Sequence, residues 1–569
     1  MLLHLGGQET ITAFSMEDCA LWKRHLLTLT VQVLMAIYVV SKQWRGDKRL
    51  AAPTAIMFVA GMTRYAERIW ALRRAQSTSL ESSDMEFYAP TAEFHFNRHS
   101  TAYYDKLDSI ISDEQERNSE RIVEVATKGF RLGLDFLMDV IPPRPAYWYY
   151  GGIELWGGTR EPSDSLVDMA YKLADIHLSM IYDYFYTKFG GGLVGLLCRI
   201  TTLALNCIAL SLFLVSRLDH HLKAEISYNI ADVMISYILL VGAITLEISS
   251  VLLWLMSSYS TWDLLRKHLH RESSRIEWSG ELQQYNMIDE CIHEKQAGRQ
   301  LERVMRRVGI ERACSTKPVK VSADVKRLIL DKMLKIWATS TSANKLDLTR
   351  FHGEWAQRWV KRYYHHEAPP PFEFTAGTSD EEQASAASPS ARAQRALGIS
   401  RIQDLGFVAS VFIWHLVTDI CLEADSTSVA DSTGELISSS WELSNYVMYL
   451  VVKRKAMVSK YERDSLSYSR EQVMWPVILD RPVDRRWFVR NLRFERHHDM
   501  LGDATDVSSE LLKMEEAAAR WDLIATVWVE MICYMAHNCG VTFHAKQLCA
   551  GGELVTHVKM LLMILRFPV

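Results

Sequence analysis

Two charges stand where charge is costly. Arg199 interrupts the apolar run "LVGLLCRITTLALNCIALSLFLV" (Leu193 to Val215), and Glu247 interrupts "IADVMISYILLVGAITLEISSVLLWLM" (Ile230 to Met256). Ionisable groups inside such runs pair with one another or take part in conduction, because an isolated charge in hydrocarbon is expensive. A short polar link, "SRLDHHLKAEISYN", joins the two runs. Counted from that link, Arg199 lies sixteen residues below Val215 and Glu247 seventeen below Ile230, so at helical rise both sit roughly 24 Å from the same end. Equal depth on neighbouring helices predicts an Arg199–Glu247 ion pair, with Asn206 as a further polar group on the first helix. The alternatives are snorkelling to the far interface and a conduction or coupling role.

A second group, His537, Cys539, His544, Cys549 and His557, has the residue types of a metal site. Its spacing, H-x-C-x4-H-x4-C, matches no standard zinc arrangement, so no metal or other cofactor is expected. Gly551 and Gly552 instead break one helix, and Glu553 opens the next at the positive end of its dipole. "FGGGLVG" (Phe189 to Gly195) lacks the Lys-Ser/Thr of a phosphate loop and precedes an apolar run, which makes it a flexible entry hinge. No nucleophile elbow, zincin, kinase or dinucleotide motif is present, and no enzymatic activity is expected.

The elements that must position these groups are helical. The runs holding Arg199 and Glu247 are each long enough to span a hydrocarbon layer. In "SMEDCALWKRH", Ser15 and Asp18 form a capping box that starts a helix, which continues into "LLTLTVQVLMAIYVV" (Leu26 to Val40), a third span; a buried core helix is the alternative. "LAAPTAIMFVAGMTRYAERIWAL" (Leu50 to Leu72) offers a weaker fourth whose latter half, with Arg64, Glu67 and Arg68, reads as interfacial, Tyr65 and Trp70 being belt aromatics and Arg73 and Arg74 lying beyond.

From Ala75 the chain is mixed and polar, including a rigid loop at "PPRPAYWYYGG" (Pro142 to Gly152), and Asp164 to Phe189 forms an amphipathic helix leading into the membrane. After Tyr259 charged, periodic helices follow, beginning with the basic run "RKHLHRESSR" (Arg266 to Arg275), which suits either anionic headgroups or plain solvent. Glu367 to Ala396 lacks the apolar residues needed to fold. Beyond it the apolar helices are broken by polar residues and read as a soluble core.

Across 569 residues, 49% of them hydrophobic, more than one folded unit is expected. A net charge of -4 supplies no basic field for nucleic acid. Nine scattered cysteines without C-x-x-C fit reduced thiols.

The ordered stretches "LLHLGGQETITAFSMEDCALWKRHLL", "IMFVAGMTRYAERIWALRRA", "IYDYFYTKF", "ILLVGAITLE", "IWHLVTDICL", "LSNYVMYLVV" and "AHNCGVTFHAKQLCAGGELVTHVKMLLMIL" resemble a large plant family of membrane proteins. Its N-terminal part is domain of unknown function 4220 and its C-terminal signature domain of unknown function 594. The resemblance implies a multi-span membrane protein with no established activity. It also implies further apolar helices ahead of "HLGGQ", so that Met1 to Leu5 resembles the tail of a missing one.

The expected fold is therefore all-α: an integral membrane helical bundle followed by a cytosolic all-helical region with a disordered linker. Its parts are N-terminal membrane helices at 1–74, a polar loop region with the amphipathic helix at 75–189, the transmembrane hairpin at 190–258, soluble helices at 259–366, the linker at 367–396 and a C-terminal helical domain at 397–569. The expected partners are the lipid bilayer and proteins that meet the cytosolic region, not nucleic acid. Membrane-anchored interaction or signalling is the favoured role. A transporter or channel using Arg199, Asn206 and Glu247 is the alternative.

Overall fold

The computed structural model describes residues 13, 19, 21–43, 51–84, 90–139, 155–156, 161–187, 192–223, 230–256, 280–296, 318–339, 346–365, 389–400, 405–425, 431–456, 485–494, 500–549 and 553–567. Nearly all of them are helical. The rigid loop at 142–152, the basic run at 266–275 and the glycines before Gly192 lie outside them.

Four helices form the bundle: α1 (Trp22–Gln43), α2 (Ala51–Asp84), and, after three others, α6 (Gly192–Lys223) and α7 (Ile230–Met256). α2 packs lengthwise on α6, and α6 on α7. α1, α6 and α7 are long and apolar enough to cross a membrane. α2 is not among the helices that qualify by composition, because Arg64, Glu67, Arg68, Arg73 and Arg74 interrupt it. The fourth helix that does qualify, α12 (Phe407–Asp425), is 78% buried in the protein, so its apolar side chains face other helices instead of an open surface.

The region from 90 to 137, expected as a polar loop, carries α3 (Pro90–Ser112) and α4 (Ser119–Leu137). The side chain of Asn118 accepts from the Arg121 N–H at the start of α4, and that of Ser163 caps α5 (Asp164–Tyr186) in the same way at Leu166. Such caps satisfy donors that the first helical turn leaves unpaired. The apolar face of α4 was hidden in the sequence by the charges on its other side. Gly129 and Gly133 lie on that face, and a Cβ at Gly129 would run into the Tyr103 and His177 rings. α5 is buried on most of its circumference and belongs to the core of the body outside the bundle.

That body continues through a two-residue antiparallel pair, β1 (Glu281–Leu282) with β2 (Val319–Lys320), and through α8 (Met287–Gln296), α9 (Ala323–Trp337) and α10 (Glu354–His365). α11 (Pro389–Ile399) overlaps the end of the stretch expected to be disordered, 367–396. Ala393, Ala396 and Leu397 supply the buried face that the composition of the whole stretch concealed. Residues 367–388 lie outside those described. Next come α12, α13 (Asp431–Val452), α14 (Arg485–Phe494), α15 (Met500–Leu512), α16 (Ala517–Asn538), α17 (Val541–Cys549) and α18 (Leu554–Ile564).

One hydrophobic core joins α4 and α5 to α9, α10, α12, α13, α16 and α18, so the segments expected as separate domains form a single packed body. α16 is its axis: Trp528 donates to the Thr418 hydroxyl at 3.0 Å, and Arg520 and Trp521 both bond the Asp425 carboxylate. α18, with all eleven residues buried, lies against α4, α5 and α16. The Tyr104 hydroxyl donates to the Met563 carbonyl at 3.0 Å, the Tyr186 hydroxyl to the Ala545 carbonyl at 2.9 Å, and His557 Nε2 meets Asp175 at 2.7 Å.

α10 begins against a carboxyl group from α16. Glu530 accepts from the Trp355 and Ala356 N–H groups at 3.1 and 3.3 Å, and burial pushes it from 4.5 up to about 8. A raised folded value means that the folded chain holds a proton the unfolded chain has released, so this contribution is complete below about 4.5 and lost as pH rises to about 8. Replacing Glu530 with Gln keeps the shape and removes the titration. Thermal unfolding midpoints measured across that pH range should fall more steeply for the native chain than for Glu530→Gln; equal slopes would show that Glu530 is ionised in the fold.

A candidate site in the helical bundle

The face of α2 that turns towards α6 begins with small residues, Ala60 and Gly61, and then presents Arg64 and Glu67. Residues three or four apart share a helix face. On α6 the same rule aligns Arg199, Thr202 and Asn206, and on α7 it aligns Glu247 and Ser250. All seven polar residues are buried, Arg199, Thr202 and Asn206 completely.

All but Asn206 join into one network. Arg64 Nε donates to Glu247 Oε1 at 2.8 Å, and its Nη1 to Glu67 Oε2 at 3.2 Å. Arg199 Nη2 stands 3.2 Å from the other Glu67 oxygen, and its Nε donates to the Ser250 hydroxyl at 3.1 Å. The Thr202 hydroxyl donates to Glu247 Oε2 at 3.0 Å. Among the described residues two guanidinium groups thus face two carboxylates, and their formal charges cancel.

The structure therefore places Arg199 and Glu247 together, within a four-charge network. The ion pairs shown run from Arg199 to Glu67 and from Glu247 to Arg64. The sequence reading had set Arg64 and Glu67 at the membrane interface and passed over Thr202 and Ser250. The signal that locates the first two is their three-residue spacing in line with Ala60 and Gly61.

The network is not central along the spans. Arg199 lies within the first two turns of the apolar stretch Val194–Ser216, and Glu247 within the last two turns of Val233–Leu253. Both sit about 8–10 Å in from the end nearest the body at 1.5 Å per residue. Asn206, two turns deeper, has no hydrogen-bond partner for either amide atom among the described residues. Beyond it the bundle is apolar, with Ala209, Phe213 and Leu240 packed against Met57 and Tyr237.

Two other groups have the residue types of an active centre. Ser444 Oγ lies 2.9 Å from His415 Nδ1, and Asp419 lies 3.9 Å from His415 Nε2. That Nε2 also accepts the Met287 N–H at 3.3 Å, Asp419 accepts from Asn286, Trp441 and Arg485, and all three residues are buried. The trio therefore fastens α8 to α12 and α13. Among the histidines of the C-terminal group, His544 meets Thr556 and the Ala536 carbonyl, and His557 meets Asp175 and the Glu553 carbonyl. These side chains make hydrogen bonds in the core, and no cluster of metal-ligating residues occurs among the described residues.

Residues 1–291, which hold the whole bundle and its network, match domain of unknown function 4220 (DUF4220). The chain belongs to the DUF4220 family. Residues 513–565 match a second family, protein of unknown function DUF594. No curated protein and no solved structure matches the chain. The DUF4220 part supplies α1 to α7 and ends within α8, and the DUF594 part supplies α16 to α18. The helices α4 and α5 of the first meet α18 of the second in the common core.

Removing one member of a buried ion pair leaves its partner uncompensated, at a cost of about 3–5 kcal/mol. Glu247→Gln should lower the unfolding free energy of the detergent-solubilised protein by that order, read as a fall in its thermal midpoint, and adding Arg64→Gln should recover part of the loss. Strictly additive losses in the double variant would show that the two residues act independently.

Proposed function

We propose that this DUF4220 protein is a multi-pass integral membrane protein in which α1, α2, α6 and α7 cross the bilayer, while the fused helical body presents surfaces to protein partners in an interaction or signalling role. One observation carries the membrane reading: large apolar side chains point outward and charges inward. Leu27, Leu34 and Tyr38 on α1, Leu197 and Val215 on α6, and Met234, Ile238 and Leu239 on α7 are 58–68% exposed, whereas Arg199 and Glu247 are 0% and 1% exposed. An exposed apolar surface of that extent suits lipid.

Lys23 and Arg24 at the start of α1 and Arg73 near the end of α2 lie at the body's end of the bundle, which supports a cytosolic body because positive charge favours that side. The scattered cysteines agree with a reducing compartment. The absence of net charge in the network favours an anchor over a conduction path: each cation is held by a carboxylate of a neighbouring helix. A role without catalysis or nucleic-acid binding is part of the same reading. Asn206 supports a second one, transport, since a buried amide without a partner among the described residues extends the polar column towards the middle of the bundle.

Carbonate washing and flotation of expressed full-length protein test the first claim; it should remain with the membrane fraction, and release into the aqueous phase would overturn it. In reconstituted vesicles, solute flux abolished by Glu247→Gln would decide for transport, whereas a specific partner that co-purifies with the full-length protein and is unaffected by that change would decide for an interaction role.

A further inference from the structure

The bundle meets the body at a collar of cations and aromatic rings. Trp22 opens α1 and packs partly against the body's core, while Arg74 of α2 donates to the Tyr184 carbonyl of α5 at 3.0 Å. The Arg74 guanidinium stands over the Trp70 ring at 5.0 Å and over Tyr184 at 4.7 Å. Arg73 stands over the Trp22 ring at 5.3 Å, and Lys23 reaches the same ring at 5.9 Å.

Lys23, Arg24 and Arg73 are exposed, and none of them forms an ion pair among the described residues. Two cations gathered on one indole ring, with no carboxylate between them among the described residues, repel each other, and an anion placed there relieves the repulsion. Glu67, one to two turns away on α2, is already taken by Arg64 and Arg199. The same side of α1 continues from Lys23 through Leu27, Val31 and Leu34, which are 66%, 52% and 62% exposed. A ligand on this face meets positive charge and indole rings at the collar and then an uninterrupted apolar track. That sequence of chemistries matches a phosphate-bearing headgroup followed by an acyl chain.

We propose that the collar formed by Trp22, Lys23, Arg24, Trp70 and Arg73 binds the headgroup of an anionic phospholipid in the leaflet nearest the body, with its acyl chain lying along α1. The inference rests on the membrane reading above. A basic residue near an anionic bilayer contributes about a fivefold gain in affinity, so three of them contribute roughly a hundredfold.

The test uses purified full-length protein in detergent micelles, titrated with phosphatidylserine and with phosphatidylcholine. Phosphatidylserine should bind more tightly, and Lys23→Gln, Arg24→Gln and Arg73→Gln together should remove most of that preference. Lys42→Gln, at the opposite end of α1, should leave it unchanged. Lys23→Gln with Arg24→Gln carries the test if Arg73→Gln folds poorly, and should lower the preference by roughly twenty-five-fold. Equal affinity for the two lipids, or a preference untouched by these changes, would overturn the proposal. Soluble glycerophosphoserine competing as well as the lipid would reduce the collar to a phosphate site and overturn the acyl track. Protein that resists carbonate extraction yet shows no lipid preference defeats the collar alone, whereas protein released by carbonate defeats the membrane reading itself.

Discussion

Charge neutrality inside the bundle is the condition on which the arrangement of its helices depends. α2 carries too many charges to hold its place on apolar composition. It packs beside α6 because Arg64 and Glu67 meet Glu247 and Arg199 on the neighbouring helices, and because Ala60 and Gly61 let the backbones approach. Each helix contributes an ionic group that is costly alone, and the cost is offset only when α2, α6 and α7 stand side by side. The network therefore specifies which helices are neighbours and in what register, which nonspecific apolar packing would leave open.

A comparable dependence links the two ends of the chain. α18 has no exposed face, and the groups that complete it come from far away in sequence: Asp108 and Asp139 from the DUF4220 part pair with Arg566 and Lys559. Lys559 is almost fully buried, so its ammonium has a place in the core only with that carboxylate beside it. The two families are separate as sequence patterns and continuous as a folded object.

How much of this was legible in the sequence follows from which forces act locally. The hairpin of α6 and α7 declared itself by its two long apolar runs, and counting helical rise put Arg199 and Glu247 at one depth. Arg64 and Glu67 were read as interfacial because a charge near the end of a weak apolar stretch looks the same whether it faces headgroups or a partner on another helix. α4 was missed for the opposite reason: its apolar stripe is diluted by Glu120, Arg121, Glu124 and Lys128, and its fit depends on Gly129 lying under the Tyr103 ring, which sequence spacing does not report. The start of α11 was lost in a composition average that mixed two buried positions, Ala393 and Ala396, with a long polar tract. α12 has the length and composition of a span, yet 78% of that stretch is buried against other helices, and the polar residues that interrupt its neighbours are the only sign of this in the sequence.

The enclosure of α18 also imposes an order in time. Asp175 and His557 touch across a separation of 382 residues. At a synthesis rate of roughly 5–20 residues per second, the pocket that α5 presents waits about 20–80 s for the helix that fills it. Of the bundle helices, α6 and α7 emerge during that interval, while the body stands open with apolar surface unsatisfied. Closure waits for α18, so a chain that lacks this helix leaves α4 and α5 with an uncovered apolar face, a ready substrate for chaperones and quality-control proteases.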